Sequence, residues 1–287
     1  MPSLIDIRRR IRSVKNTQQI TKAMKMVATA RLRRAQERVI NARPYSRMAG
    51  EILRNVAAAA AGDERVSENP LLAVREEKRI QFILVTSDRG LAGGFNSNLI
   101  KAAQQFLAEN ADKQVEMELY GRKARDFFTR RAARVSGEVT GISQSPSLAD
   151  AKALADKMID RFKNEEVDAV YLLYNEFKSV LTQKVTLKKM LPMAVQAEGS
   201  PQRDYIFEQP PAEMLGRLLP NYILLQILEA FLESAAAEHA ARMTAMDAAS
   251  TNANDVINKL TLYMNRVRQA SITREIIEVV SGASALE

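Results

Sequence analysis

Residues 246–277 read MDAASTNANDVINKLTLYMNRVRQASITREII. Within them Met246, Ala249, Ala253, Val256, Leu260, Tyr263, Val267, Ala270 and Ile277 fall on alternating steps of three and four, with Arg274 as the interruption. A seam residue every 3.5 positions, kept up this long, marks a helix that packs along one partner as in a coiled coil. A globular helix would carry a broader apolar stripe. Upstream, Arg217 to Ser281 holds no Gly and one proline, Pro220. Read as one helix, that stretch spans roughly 100 Å at about 1.5 Å per residue.

The partner lies at the other end of the sequence. Leu4, Ile7, Ile11 and Val14 keep the same spacing, Gln18 and Thr21 weaken it, and Met24, Ala28, Leu32, Ala35, Val39 and Ala42 resume it. Ser3 to Arg43 contains neither Gly nor Pro, and Asp6 suits the positive start of a helix. Pro44 is expected to end or kink this helix, with a second one over about 45–61 continuing in the same direction to Gly62. Helices this long do not fit inside a compact domain of 287 residues. The expectation is an antiparallel two-helix coiled coil of the terminal segments, with the middle of the chain inserted between them.

That middle reads as α/β. Arg79–Thr86, Val115–Tyr120, Ala169–Tyr174 and Val180–Lys188 are strand candidates, and helical stretches near 95–109, 121–132 and 147–164 separate the first three. Strands alternating with helices predict a doubly wound, mostly parallel, Rossmann-like sheet. The predicted organisation is an N-terminal shaft helix over 1–62, an α/β domain over 63–200 and a C-terminal shaft helix over 201–287. The Pro-rich stretch Gly199–Pro211 reads as a linker.

Composition removes whole classes of chemistry. There is no Cys and one His, so thiol catalysis, disulfides, iron–sulfur clusters and Cys or two-His metal sites are excluded. No metal and no cofactor is expected. Trp is absent and aromatics make up 6%, a poor basis for stacking single-stranded nucleic acid. The net charge of +8 is uneven: residues 1–50 carry 13 basic and 2 acidic side chains, and the other 237 residues together are slightly acidic. Such a collar, screened within about 8 Å, acts on a partner that nearly touches it, either an acidic protein surface or a phosphate backbone. MPSLIDIRRR lacks the apolar core of a signal peptide, and the most apolar stretch, Leu218–Leu232, is interrupted by Pro220, Asn221, Gln226 and Glu229.

Two local features invite a functional reading. Ser87–Asn96 (SDRGLAGGFN) follows the first strand candidate and precedes a helix, where phosphate loops sit, but it lacks both a Gly-Lys-Ser/Thr ending and G-x-G-x-x-G spacing. A tight glycine turn is the favoured reading. His239 stands alone on a helix and reads as a tolerated surface or seam residue. No pair of carboxylates suggests acid–base work. A mechanical or scaffolding role is favoured. The alternatives are a basic coiled-coil nucleic-acid-binding or scaffold protein, and an α/β nucleotide enzyme.

Three segments together carry a resemblance. Ile7-Arg8 through Asn16-Thr17-Gln18-Gln19-Ile20-Thr21-Lys22-Ala23-Met24-Lys25-Met26-Val27-Ala28, the loop Ser87–Asn96, and Gln269–Ala283 (QASITREIIEVVSGA) closely resemble the γ subunits of F-type ATP synthases, in order, spacing and total length. The resemblance implies a central-stalk rotor of the bacterial type. It would couple proton-driven rotation of the c-ring to ATP synthesis and hydrolysis at the β subunits of a surrounding F1 ring of three α and three β subunits. The nucleotide sites would belong to that ring, leaving this chain non-catalytic. Its implied partners are the ring, the ε subunit and the c-ring, with no nucleic acid. Its implied place is the cytoplasmic face of the inner membrane, peripheral and held through the complex. Residues Lys22, Met24, Lys25 and Met26, with Arg242, Gln269, Thr273 and Glu275, match the rotor–stator contacts. Tyr205 and Glu208 match the c-ring and ε contact. Ala92 replaces a frequent Cys, and Thr251-Asn252 replaces a frequent Asp-Asn.

Overall fold

The computed structural model describes residues 3–60, 63–131, 134–193 and 207–284. In chain order the main elements are α1 (Leu4–Ala59), α2 (Glu64–Ser67), β1 (Arg79–Val85), α3 (Phe95–Glu109), β2 (Gln114–Tyr120), α4 (Arg122–Phe128), β3 (Arg134–Val139), α5 (Leu148–Lys163), β4 (Ala169–Phe177), β5 (Gln183–Leu191) and α6 (Pro211–Ser284). They form two compact units. One is made from 1–28 and 243–287, the other from 29–242, so α1 and α6 each contribute to both.

In the first unit α1 and α6 run antiparallel. Gln18 Nε2 donates to Asn254 Oδ1, Thr21 pairs with Ser250 and Lys25 with Asp247, so one number rises as the other falls. The buried seam is Ile7, Thr21 and Ala28 on α1, facing Met246, Ser250, Ala253 and Ile257 on α6. Val256 and Tyr263, placed on the seam by their spacing, are instead exposed, and Ile257 takes the inward position. With 3.6 residues per turn two adjacent stripes satisfy the same spacing. The Thr21–Ser250 hydroxyl pair at 2.7 Å selects the one that includes Ser250.

In the second unit five strands lie in the order β3-β2-β1-β4-β5. β1 pairs in parallel with β2 and β4, β2 with β3, and only the β4–β5 pair is antiparallel. The doubly wound, mostly parallel sheet is as expected. β1 is buried from Ile80 to Val85, because both faces of the sheet are covered. On one face Leu53 and Val56 of α1, Leu219, Ile223, Ile227 and Phe231 of α6, and Leu154, Met158 and Phe162 of α5 share a core with Ile83, Val85, Val170 and Leu172. The apolar stretch of α6 is therefore spent on this core. Phe82 of β1 stacks on Phe106 of α3 with ring centroids 4.5 Å apart.

Two expectations change. α1 runs unbroken through Pro44. A mid-helix proline costs about 3 kcal/mol, and polar bonds on either side of it offset that. Arg43 Nη2 donates to Glu233 Oε1 (3.0 Å) and to the Phe177 carbonyl (2.9 Å), and Ser46 Oγ donates to Glu229 Oε2 (2.6 Å). The second change is β3, an edge strand absent from the expected set: RVSGEV alternates its polar residues with only Val135, Gly137 and Val139, and every position is exposed or half-buried, so its apolar signal is weak. The last strand lies at Gln183–Leu191, three residues beyond the Val180–Lys188 candidate.

Gly121 turns the chain from β2 into α4 at φ 98°, and a Cβ there would stand 2.3 Å from the Thr86 carbonyl oxygen. Gly141 has a similar φ of 96° with nothing within 4 Å. Gly121→Ala should lower stability by roughly 3 kcal/mol or more, and Gly141→Ala by roughly 1 kcal/mol, since only the first adds backbone collision to strain. Urea unfolding of the two variants checks the difference.

Candidate functional site: the closed glycine turn and the helical pair

In doubly wound sheets ligands bind beyond the carboxyl ends of the strands, where the strand order reverses. Here that place lies between β1 and β4, and the chain itself fills it. Ser87 N–H donates to Asn96 Oδ1 (3.1 Å), Ser87 Oγ donates to the Arg89 carbonyl (2.7 Å), and Asn175 of β4 donates to the Phe95 carbonyl (3.3 Å). Asp88 is buried and accepts from Arg122 N–H (3.1 Å), Gly141 N–H (3.0 Å) and Ser143 Oγ (3.1 Å). One carboxylate thus ties three loops together.

Arg242 completes the closure. Its Nη2 donates to the carbonyls of Arg89 (3.3 Å) and Gly90 (3.2 Å) and to Glu238 Oε1 (2.7 Å). The turn therefore offers carbonyl oxygens to a cation, the opposite polarity from a phosphate cradle, whose amide N–H groups face an anion. Glu238 is held above the usual carboxylate range by burial, which the adjacent Arg242 opposes. Among the described residues its Oε2 has no hydrogen-bond partner. His239, read as a surface or seam residue, is buried. Its Nδ1 lies 3.4 Å from Arg242 Nη1, so that nitrogen accepts and Nε2 carries the proton. Burial, then the charges of Arg242 and Arg31, lower its pKa to about 4.

The residues matched to rotor–stator contacts fall in different settings. Lys22 and Met26 are exposed on α1, and Met24 is half-buried. Lys25 Nζ reaches Asp247 Oδ1 at 2.6 Å, a cross-helix pair that spacing alone did not indicate. Gln269, Thr273 and Glu275 are exposed on α6, roughly 33 Å or more along the helix from Asp247 at about 1.5 Å per residue. From Ile272 to Val280 every residue of α6 is exposed, the isoleucines and valines included. Arg242 is buried within the second unit and engaged with its own chain. Glu208 is exposed, and Tyr205 lies outside the described residues. Among the described residues no group of three His, Asp or Glu side chains could hold a metal ion.

A family model described as ATP synthase matches residues 3–286. The ATP synthase gamma chain of Solibacter usitatus is 61% identical over 287 residues, all of both chains. That of Pelotomaculum thermopropionicum is 48% identical over 289 residues, again all of both. Among solved structures, a chain of the Euglena gracilis mitochondrial ATP synthase (OSCP/F1/c-ring) superposes with a TM-score of 0.69 at 20% identity, covering 99% of this chain and 94% of that one. A chain from the central stalk and c-ring of the Tetrahymena thermophila enzyme superposes with a TM-score of 0.60 at 24% identity, covering 80% and 99%.

Two predictions follow from the closed turn. Arg242→Ala leaves Glu238 buried without its cation and should cost roughly 3 kcal/mol or more, with Glu238→Gln costing less; chemical unfolding at neutral pH measures both. His239 gives a pH dependence of definite sign. As pH falls below the ordinary value of 6.5, the unfolded chain takes up a proton that the folded ring accepts only near 4. Its contribution is complete above the ordinary value and is lost as pH falls through that window, by about 3 kcal/mol in all. His239→Gln should remove that part of the slope in unfolding curves recorded across the range.

Proposed function

The chain belongs to the ATP synthase gamma family, and on that premise we propose how its geometry serves a central-stalk rotor of an F-type enzyme. As a gamma chain it is a subunit of a membrane-bound complex that makes ATP. The observation that carries the mechanical reading is the pairing of α1 with α6, which share the sheet's core in the second unit and expose Lys22, Met26, Gln269, Thr273 and Glu275 in the first. Torque needs a grip on both helices. In the second unit, Arg43–Glu233, Ser46–Glu229 and Lys188–Gln226 join α1, α6 and β5 by side-chain bonds, and these resist sliding more specifically than apolar contact does.

The division of labour follows. The nucleotide chemistry belongs to the surrounding ring, and this chain is non-catalytic. The polarity of the 87–94 turn supports that assignment, because it faces a guanidinium with its carbonyls. Lys22, Met24, Lys25 and Met26 would meet the ring at one level, and Gln269, Thr273 and Glu275 at another. Arg242 would act from inside, holding the turn. Glu208 and Tyr205 would lie toward the c-ring and ε. The shaft segments would be 1–62 and 201–287, with 63–200 as the inserted domain. The bacterial relatives support a place on the cytoplasmic face of the inner membrane. They give no support to the alternative of a nucleic-acid-binding or scaffold coiled coil.

The chain has no Cys, so an introduced thiol is its only one. Lys25→Cys loses a half-exposed ion pair with Asp247, worth no more than about 1 kcal/mol. With a second Cys on the facing β subunit, in a ring cleared of other thiols, oxidation should stop ATP hydrolysis and reductant should restore it. Full cross-linking with undiminished turnover would refute rotation of this chain against the ring.

A further inference from the structure

Beside the closed turn, within the second unit, lies a cavity of about 240 Å³ between α1, α6 and the segment that follows β3. Arg31, Arg34 and Arg38 of α1 line it, with Ser143 and Pro146 on one wall and Leu232, Ala235 and His239 of α6 on another. At 100° per residue the three arginines fall within about 60° of arc, one above the next on a single face. Among the described residues none of the three has a hydrogen bond or an ion pair, whereas Arg33, on the next face, pairs with Glu37 at 3.4 Å. No carboxylate lines the cavity.

The walls fix the chemistry that fits. Ser143 gives its proton to Asp88 and serves as wall only. His239 stays neutral at physiological pH, and because its Nδ1 accepts from Arg242, Nε2 is its proton-bearing nitrogen. The cavity therefore offers N–H donors: three guanidinium forks, and an imidazole on a residue of its floor. Guanidinium forks match the oxygen edges of phosphate groups two at a time. A cavity of this size takes one or two such groups and leaves no room for a helix. We propose that this cavity binds a phosphate-class anion, inorganic phosphate or a pyrophosphate-like chain, held by Arg31, Arg34 and Arg38 and bridging α1 to α6. The proposal does not depend on the rotor reading, since the site lies wholly within one unit of the chain.

The test uses the full chain, with inorganic phosphate, pyrophosphate and ADP each titrated by calorimetry. Ionic strength is kept constant and high enough to suppress the diffuse field of the basic surface. Saturable one-site binding of pyrophosphate is expected. Arg34→Gln and Arg38→Gln should each weaken it about tenfold, the loss of one strong charge-assisted contact. Arg34→Lys should fall between wild type and Arg34→Gln, because it keeps the charge and loses the fork. Arg33→Gln, on the same helix but off the cavity, should leave affinity unchanged. All three substituted positions are exposed, so folding is retained in the four variants and circular dichroism verifies it. ADP binding no tighter than pyrophosphate would assign recognition to the phosphates alone, and tightest binding of inorganic phosphate would identify the free ion as the occupant. Absence of saturation below about 10 mM pyrophosphate, an equal loss in Arg33→Gln, or a large gain from the nucleoside would each overturn the proposal.

Discussion

Glu233 is buried on α6, and its charge is tolerable there because Arg43 reaches across from α1. Burial still holds this carboxyl above its ordinary range, with Arg43 opposing the shift. The same guanidinium nitrogen donates to the carbonyl of Phe177, at the end of β4. One side chain thus joins the two long helices and the sheet. Removing one partner of such a pair costs far more than the pair contributes net, because the other charge is left stranded. The register of α1 against α6, the passage of α1 through Pro44 and the seating of both helices on the sheet all depend on this node. Gln226, Ser46 and Glu229 extend it one to two turns along α6.

What was legible in the sequence depended on whether a signal was local. The 3.6-residue rhythm of both long helices and the apolar runs of β1 and β4 are properties of contiguous residues, so periodicity found them. β3 was missed because its alternation rests on two valines either side of Gly137, too weak a signal in a mostly exposed edge strand. Pro44 misled as an end of the helix because what carries α1 on past it is bonding to residues more than 130 positions away. The site residues divide the same way. Lys22 and Met26 were recognisable from their segment and are exposed. The burial of Arg242 depends on a turn some 150 positions earlier in the chain, and spacing carries no trace of that. Asp88, Glu238 and His239 share that limit: their roles exist only once the sheet brings its loops together.

The same topology that elsewhere holds dinucleotides is here turned inward. A fold does not dictate chemistry; the groups placed at its strand ends do. Asp88 spends its acceptors on three neighbouring loops, and Arg242 spends its donors on two carbonyls and a carboxylate. A crevice whose polar groups satisfy one another has little to offer a ligand and much to offer rigidity. The cavity beside it has the opposite character, with unpaired donors and no acceptor charge.

The pairing of α1 with α6 sets the order in which this protein can be made. At the usual 5–20 residues per second, on the order of ten to forty seconds separate the synthesis of the two helices. During that interval α1 exists without its seam partner, and Ile7, Leu32, Val39, Leu53 and Val56, all buried in the finished fold, stand in water. A neutral amphipathic helix in that position would find other copies of itself. The 13 basic side chains among the first 50 residues, against 2 acidic, keep nascent chains apart by mutual repulsion until α6 arrives. The charge of α1 therefore opposes self-association at the stage when its seam has no partner.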